Sequence, residues 1–169
     1  MRKIALLNLV SLIALALLTT SPTEAATKSV SSSVSSVGSH GESISIASNS
    51  IKAGSTIKVE GAHFDESVGI YLAYCVLPAK GKVPTPCGGG ENKSGIGDAS
   101  YWISSNPPPY GKGLAIPYQP GGRFSQKLLI SRYIGKFDCK KIKCAVTVRA
   151  DHLMSADRSF DLFIPINIK

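Results

Sequence analysis

The sequence predicts an all-β protein in which two sheets pack face to face. Segments such as residues 56–60 alternate apolar and charged residues, with the period of two that a strand with one wet face requires. Turns rich in glycine and proline separate these segments, and no window has a helical period with caps. Seven or so strands in about 125 residues fit a two-sheet sandwich, and a closed barrel is the alternative architecture.

Seven segments carry the strand pattern. The central one ends in a cysteine, and the last has apolar residues at its even positions, where Pro165 predicts a sheet edge or a bulge. Residues 106–118 contain three consecutive prolines, which cannot pair inside a sheet, so this segment is predicted to follow a surface or rim. The predicted strands are residues 43–46, 56–60, 68–75 (the central strand), 99–104, 123–130, 143–150 and 160–168.

The chain begins with a predicted signal peptide, residues 1–25. Two basic residues precede an apolar stretch at residues 4–18, which is shorter than the roughly 20 residues that a membrane-spanning helix needs. The residues up to Ala25 have the small-x-small form of a cleavage site, so we predict cleavage there, with Ala26 as the alternative. An uncleaved anchor is the other interpretation. Cleavage predicts a protein that is secreted or held in the cell envelope.

A serine-rich segment, residues 26–42, follows the predicted signal peptide. It has too little apolar bulk to offset the entropy lost on ordering, so it is predicted to be a disordered linker. The folded domain is predicted to comprise residues 43–169.

Four cysteines in an exported chain predict disulfides, because the exterior is oxidising. Each of the pairs Cys75–Cys87 and Cys139–Cys144 brackets a turn-rich loop, and this pairing is favoured. The main alternative joins Cys75 to Cys144 as a pin between the two sheets. The cysteine spacings fit no zinc site, and neither a metal nor another cofactor is predicted.

The chain is basic, with a formal net charge of +8 at pH 7. Such a charge favours contact with acidic surfaces, although solubility alone is the other interpretation. The positive residues are scattered except in residues 136–143, where few aromatic residues are interleaved. We therefore predict no specific nucleic-acid partner, and membrane contact only through the signal peptide.

Aromatic residues are the best candidates for ligand contacts. Trp102, Tyr110 and Tyr118 fall among prolines and glycines, and rigid rings on loops offer contact area with little loss of entropy. Packing of these rings against the core is the alternative. Tyr71 and Tyr74 lie on opposite faces of the predicted central strand, so only one of them can face a ligand, and the sequence does not say which.

The loop before the last strand holds the densest group of ionisable residues. It is interpreted either as an ion-paired loop, in which Arg149 and Arg158 face Asp151 and Asp157, or as a ligand-contact loop that includes His152. No motif positions a nucleophile there, so neither a catalytic residue nor an enzyme activity is predicted. The predicted ligand contacts are Tyr71, Tyr74, Trp102, Tyr110, Tyr118, Arg149 and His152.

The cysteine pattern resembles that of the neocarzinostatin-type chromoprotein apoproteins of actinobacteria. In those proteins an early pair closes a hairpin, as Cys75 and Cys87 would, and an Asp-Cys, four residues and another Cys follow late in the chain, as in residues 137–146. Residues 58–64 also look like their second strand and its glycine-rich end. The resemblance spans roughly residues 44–168.

This resemblance implies an immunoglobulin-like, seven-stranded antiparallel β-sandwich with two local disulfides. It also implies a non-enzymatic protein with a cleft that is walled partly by the disulfide-bearing ribbons and that holds an enediyne chromophore in the family. Residues 101–113 do not match the chromoproteins and look more like a related module of secreted and surface proteins of actinobacteria. Carriage of an enediyne is therefore not predicted.

Together, these observations predict a secreted binding module for a small apolar or aromatic ligand. The predicted cleft is formed by the strand that ends at Cys75, by residues 87–120 and by residues 150–158. The alternative is a cell-surface interaction or adhesion module that contacts a macromolecule, such as a host or cell-wall component, through the same loops.

Overall fold

The computed structural model describes residues 32–91, 93 and 99–169. The predicted signal peptide and the first part of the predicted linker lie outside these residues. Within them, no helix is long and apolar enough to cross a membrane. The elements are β1 (Val34–Val37), β2 (Ser43–Ile46), β3 (Ser50–Ile51), β4 (Ser55–Ala62), β5 (Ile70–Val76), β6 (Cys87–Gly88), β7 (Tyr101–Ile103), β8 (Phe124–Ile130), β9 (Tyr133–Ile134), β10 (Phe137–Asp138), β11 (Cys144–Ala150), β12 (Leu162–Ile168) and two short 3-10 turns, Pro109–Gly111 and His152–Met154.

Two sheets form a sandwich. The four-stranded sheet has the order β1-β2-β4-β8, and the six-stranded sheet has the order β3-β12-β11-β5-β6, with β7 also paired to β5. All pairings are antiparallel except that of β12 with β3. Neither sheet closes on itself, so the predicted sandwich is confirmed and the barrel alternative is wrong.

All seven predicted strands are present, as β2, β4, β5, β7, β8, β11 and β12. Four of the additional strands have only two residues each, and β9 and β10 pair as a separate hairpin. The predicted edge position of Pro165 is also found. Strand β3 pairs with β12 only at Asn167 and Ile168, so the outer edge of β12 at Pro165 has no strand partner among the described residues.

The core lies between the sheets and is built from alternate residues of each strand. In β5, Ile70, Leu72 and Tyr74 are fully buried in it, and Val146 and Val148 of the neighbouring β11 join them. Burial of a large aliphatic side chain stabilises the fold by about 1.5–3 kcal/mol. The residues between these positions point to the outer face of the six-stranded sheet.

The prediction of a disordered linker up to residue 42 is wrong for residues 34–42. Strand β1 pairs along its whole length with β2, and the Val34 side chain packs against the core. The Gly38 amide donates to the Glu42 carbonyl at 2.8 Å, and His40 stacks on Phe160 with ring centroids 4.7 Å apart. An edge strand needs few apolar side chains because backbone pairing holds it, and composition alone does not reveal this.

Both favoured disulfides are present, so the predicted pairing is confirmed. Cys75–Cys87 joins β5 to β6, and Cys139–Cys144 joins the end of the β9–β10 hairpin to β11. The alternative bond between Cys75 and Cys144 is wrong for a geometric reason. The two residues lie on adjacent strands of one sheet, and Cys144 points into the core whereas Cys75 points to the outer face.

Candidate functional site

The outer face of β5 presents Tyr71 rather than Tyr74. The Tyr74 side chain is fully buried between the sheets, its hydroxyl has no hydrogen-bond partner among the described residues, and burial raises its pKa to about 12. The Tyr71 side chain is half-buried on the opposite face. Of the two tyrosines, Tyr71 is therefore the one that lies on the outer face.

Tyr71 is flanked on both neighbouring strands. Trp102 of β7 lies opposite it, with ring centroids 6.3 Å apart, and Arg149 of β11 lies opposite it on the other side. The guanidinium carbon of Arg149 is 5.2 Å from the centre of the Tyr71 ring, which is within the range of a cation–π contact. Sheet register thus fixes these three side chains in a row.

His152 joins two tyrosine hydroxyls. It opens the 3-10 turn that follows β11, where its Nδ1 lies 2.6 Å from the Tyr71 hydroxyl oxygen and its Nε2 lies 2.7 Å from that of Tyr110. Its ring meets the Trp102 ring edge-on, with centroids 5.0 Å apart. A neutral imidazole has one N–H and one lone pair, so one hydroxyl donates to it and the other accepts from it.

The buried carboxylate of Asp151 fixes the positions of Trp102 and His152. It accepts a hydrogen bond from the Trp102 indole N–H at 2.9 Å and another from the Leu153 amide at 2.8 Å, which caps the 3-10 turn. Only 1% of Asp151 is exposed. A Cβ atom at Gly69 would overlap this carboxylate, so the close approach requires glycine there.

Tyr110 is placed by the proline-rich segment. The predicted rim segment forms the 3-10 turn Pro109–Gly111, and a Cβ at Gly111 would overlap the Trp102 ring. The turn therefore sits directly against the tryptophan. The Tyr110 ring is 62% exposed and lies 6.4 Å from the Trp102 ring at 27°, which is a stacked arrangement.

Five of the seven predicted ligand contacts come together, and we call this group the aromatic–histidine cluster. Tyr74 and Tyr118 lie elsewhere. Tyr118 is buried, stacks on Phe64 with ring centroids 6.1 Å apart, and donates its hydroxyl to the Val68 carbonyl at 3.1 Å. Burial raises its pKa. The members of the cluster are Tyr71, Trp102, Tyr110, Arg149 and His152.

Sequence reasoning missed the role of Asp151. The ion-paired interpretation of its loop is wrong for Asp151. Arg158 pairs with Asp161 at 3.1 Å, and Asp151 accepts a hydrogen bond from Trp102. The one available signal was an aspartate directly before a short turn, the usual position of a residue that caps with its side chain. The sequence does not indicate that Asp151 also accepts from the distant Trp102 indole, because the fold alone brings the two side chains together.

Small side chains cover the outer face beside the cluster. Ala73 and Cys75 of β5 and Ala145 and Thr147 of β11 alternate with the core residues, and each is 3% exposed or less. The Cys75–Cys87 disulfide lies on this same face. The small residues are therefore covered by other parts of the chain, and the large rings of the cluster lie at the other end of this face. Among the described residues, no group of three or more His, Cys, Asp or Glu side chains could hold a metal ion.

The raised pKa of Asp161, near the cluster, should make the stability of the protein depend on pH in an unusual direction. Burial raises the pKa of its carboxyl to about 6, although Arg158 and Arg149 oppose the shift. The folded state thus holds this proton more tightly than the unfolded chain. We expect the free energy of unfolding to fall as pH rises from about 4 to about 6, by at most about 3 kcal/mol. Urea unfolding of the wild type and of Asp161→Asn between pH 4 and pH 6 measures this fall in the free energy of unfolding.

The matched control for this prediction is Asp157→Asn. A hydrogen bond from the Ser159 amide lowers the pKa of Asp157, so this variant should keep the wild-type slope between pH 4 and pH 6. Asp161→Asn should lose the decline. Parallel profiles for the wild type and Asp161→Asn would contradict the raised pKa.

The fold and the site define a disulfide-stapled, two-sheet β-sandwich with an aromatic–histidine cluster on the outer face of its larger sheet. No protein-family model matches the sequence, and no curated protein matches it. Among solved structures, macromomycin is similar, with a TM-score of 0.48 and 11% sequence identity over 76% of this chain and 99% of the macromomycin chain. At this level of likeness we draw no inference from macromomycin about ligand or activity.

Proposed function

We propose that the protein is an exported, non-enzymatic binding module that holds a small planar aromatic ligand at the aromatic–histidine cluster. One observation carries this proposal. The rings of Tyr71, Trp102, Tyr110 and His152 meet on one face, and Tyr110 remains 62% exposed. Export is supported by the two disulfides, which persist in oxidising compartments.

The cluster is ordered before any ligand arrives. Hydrogen bonds hold His152 between two hydroxyls, and Asp151 holds Trp102. Binding to a preorganised site loses less side-chain entropy than binding to mobile loops, so the contact area of the rings is used efficiently. Small-molecule sites are usually lined by apolar and aromatic side chains together with a few polar groups, as in this cluster.

The charges of the cluster favour a ligand with an acidic group. Arg149 forms no ion pair with a described residue. Of the two carboxylates near the cluster, Asp151 is buried and already accepts two hydrogen bonds, and Asp161 is paired with Arg158. An aromatic carboxylate satisfies both the rings and the positive charge.

Fluorescence of the single tryptophan tests the proposal, because Trp102 belongs to the cluster. We expect 2-naphthoate to change the emission saturably and to raise the melting temperature by mass action. The neutral 2-naphthamide should bind at least ten-fold more weakly, which corresponds to the loss of about 1.4 kcal/mol from a single charge contact. Absence of saturable binding across such aromatic acids and amides would overturn the proposal.

Replacing Tyr110 with alanine should weaken 2-naphthoate binding at least ten-fold, because one stacking surface and the His152 hydrogen bond are lost. Tyr110→Phe keeps the ring and should lose less. Tyr133→Ala is the matched control, since Tyr133 is a 53% exposed tyrosine on the β9–β10 hairpin. An equal loss of affinity in Tyr110→Ala and Tyr133→Ala would place the ligand elsewhere.

A contact with a macromolecule on the cell surface is the second candidate function. It is favoured by two exposed apolar side chains on the turn that carries His152, Leu153 at 56% and Met154 at 41% exposed. Retention on isolated cell walls or host cells that is lost in a Leu153→Ser, Met154→Ser variant, with 2-naphthoate binding unchanged, would support this function. Equal retention of the variant would exclude this turn as the contact.

A further inference from the structure

Residues 132–143 form a second surface that the cluster does not use, and we call it the basic ribbon. It comprises the β9–β10 hairpin and the turn that leads into β11. The Arg132 carbonyl accepts from the Cys139 amide at 2.8 Å, and the Asp138 carbonyl accepts from the Lys141 and Ile142 amides at 2.8 and 3.0 Å. These bonds bring the hairpin and the turn together as one unit.

The basic ribbon is strongly cationic. It carries five basic side chains and one carboxylate in twelve residues. The carboxylate of Asp138 is already neutralised by a two-pronged bond to Arg132, at 3.1 and 2.8 Å. The remaining basic residues are exposed and form no ion pair with any described residue: Lys136, Lys140, Lys141 and Lys143.

The backbone that carries these charges is braced before any partner binds. The Cys139–Cys144 disulfide closes the turn, and the Arg132–Asp138 pair braces the hairpin. Hydrogen bonding to Arg132 lowers the pKa of Asp138 to about 2, so the brace persists throughout the physiological range. A braced backbone keeps the lysines on one part of the surface, where they concentrate positive potential.

Apolar groups are exposed among the lysines. Tyr133 is 53% and Ile142 is 37% exposed, although both belong to residue types that normally bury most of their surface. The Tyr133 ring also lies under the Arg132 guanidinium, at 5.0 Å. Exposed lysines that alternate along the ribbon with an exposed tyrosine and isoleucine match the two layers of a bilayer surface, its anionic headgroups and the apolar boundary beneath them.

In place of the predicted membrane contact through the signal peptide alone, we infer that the basic ribbon docks the protein on a bilayer that contains anionic lipid. The lysines contact the headgroups, and Tyr133 and Ile142 enter the interface. This partner accounts for the exposed apolar side chains as well as the charge, whereas a soluble polyanion would use only the charge. The inference is independent of the proposed ligand site, which lies on other residues.

Vesicle sedimentation tests this inference with the chain from Ala26 onward, the predicted mature form, so that the apolar segment at residues 4–18 cannot itself enter the bilayer. The whole described core lies within this part of the chain. We expect binding to vesicles of equal parts phosphatidylcholine and phosphatidylglycerol, and none to phosphatidylcholine alone. In about 1 M salt, where the Debye length falls to about 3 Å, the binding should be lost.

Two variants separate the contribution of the lysines to vesicle binding from that of the apolar side chains. Lys140→Gln, Lys141→Gln should weaken vesicle binding roughly 25-fold, at about five-fold for each lysine near an anionic surface. Tyr133→Ser, Ile142→Ser keeps the charge and should also weaken vesicle binding, but should leave binding to heparin unchanged. Lys140 and Lys141 are exposed, so the lysine variant should keep the wild-type melting temperature, and unchanged heparin binding shows that the Tyr133→Ser, Ile142→Ser variant is folded.

Lys58→Gln, Lys127→Gln is the matched control. These two lysines lie opposite each other on the outer face of the four-stranded sheet, and the variant loses the same charge. It should bind vesicles as the wild type does. Equal weakening in both lysine variants would show an effect of net charge only. Unchanged vesicle binding in Tyr133→Ser, Ile142→Ser would show that the contact uses charge alone and that neither side chain enters the bilayer. Either result, or binding to neutral vesicles, would overturn the inference.

Discussion

Replacing Asp151 with alanine is expected to lower the free energy of unfolding by about 3 kcal/mol, because a buried indole N–H and a backbone amide lose a charged acceptor together. The change also removes the cap of the turn that positions His152. We therefore expect the loss of stability to be accompanied by weaker 2-naphthoate binding. Urea unfolding followed by circular dichroism measures the first effect, and Trp102 emission measures the second.

Two further variants calibrate this result. Asp151→Asn keeps one carbonyl acceptor in the same volume and should lose about half as much stability. Asp157→Ala lies in the same loop and removes only the exposed bond to the Ser159 amide, so it should destabilise the protein much less than Asp151→Ala does. If Asp157→Ala destabilises the protein as much as Asp151→Ala does, the Trp102–Asp151 bond does not hold the cluster.

Two neighbouring glycines should differ sharply when each is replaced by alanine. Gly122→Ala is expected to destabilise the fold by about 4 kcal/mol, because the residue has a φ of +61° and the new Cβ would overlap the Phe64 backbone. The backbone of Phe64 cannot move away easily, since its amide donates to the Gly122 carbonyl at 3.1 Å. Its ring also packs on Tyr118 and Phe124.

Gly121→Ala provides the control for that prediction. Gly121 also has a positive φ, of +83°, but nothing lies within 4 Å of the position that its Cβ would take. We expect this variant to cost only about 1–2 kcal/mol, the conformational penalty alone. Thermal unfolding of both variants distinguishes the steric from the conformational contribution. Similar melting temperatures would mean that the chain relaxes around residue 122.

Local pattern was sufficient to predict the sandwich and its disulfides. Alternation located β4 and β5, and the turn-rich loops between the cysteines indicated which ones would pair. Strand β1 was missed because backbone pairing to β2, rather than apolar bulk, holds an edge strand. The composition of a segment shows how much apolar bulk it carries, but it does not show which strand the segment pairs with.

The aromatic–histidine cluster was only partly predictable. The face on which Tyr71 lies depends on which side of the six-stranded sheet the other sheet covers, and no local pattern contains that information. Tyr110 reaches His152 only because Gly111 lets its turn sit against Trp102. Tyr118 has a similar sequence context, but it enters the core beside Phe64. The positions of these three tyrosines therefore depend on packing between segments that are distant in the sequence.

The register of β5 with β11 sets an orientation for the whole molecule. Tyr71 lies opposite Arg149 at one end of the strand pair, whereas Val76 lies opposite Cys144, the residue that follows the basic ribbon, at the other end. The five-residue interval spans roughly 17 Å along the sheet. The basic ribbon and the aromatic–histidine cluster therefore adjoin opposite ends of this strand pair, so a molecule that rests on a membrane through the ribbon would leave the cluster free for ligands that diffuse in solution.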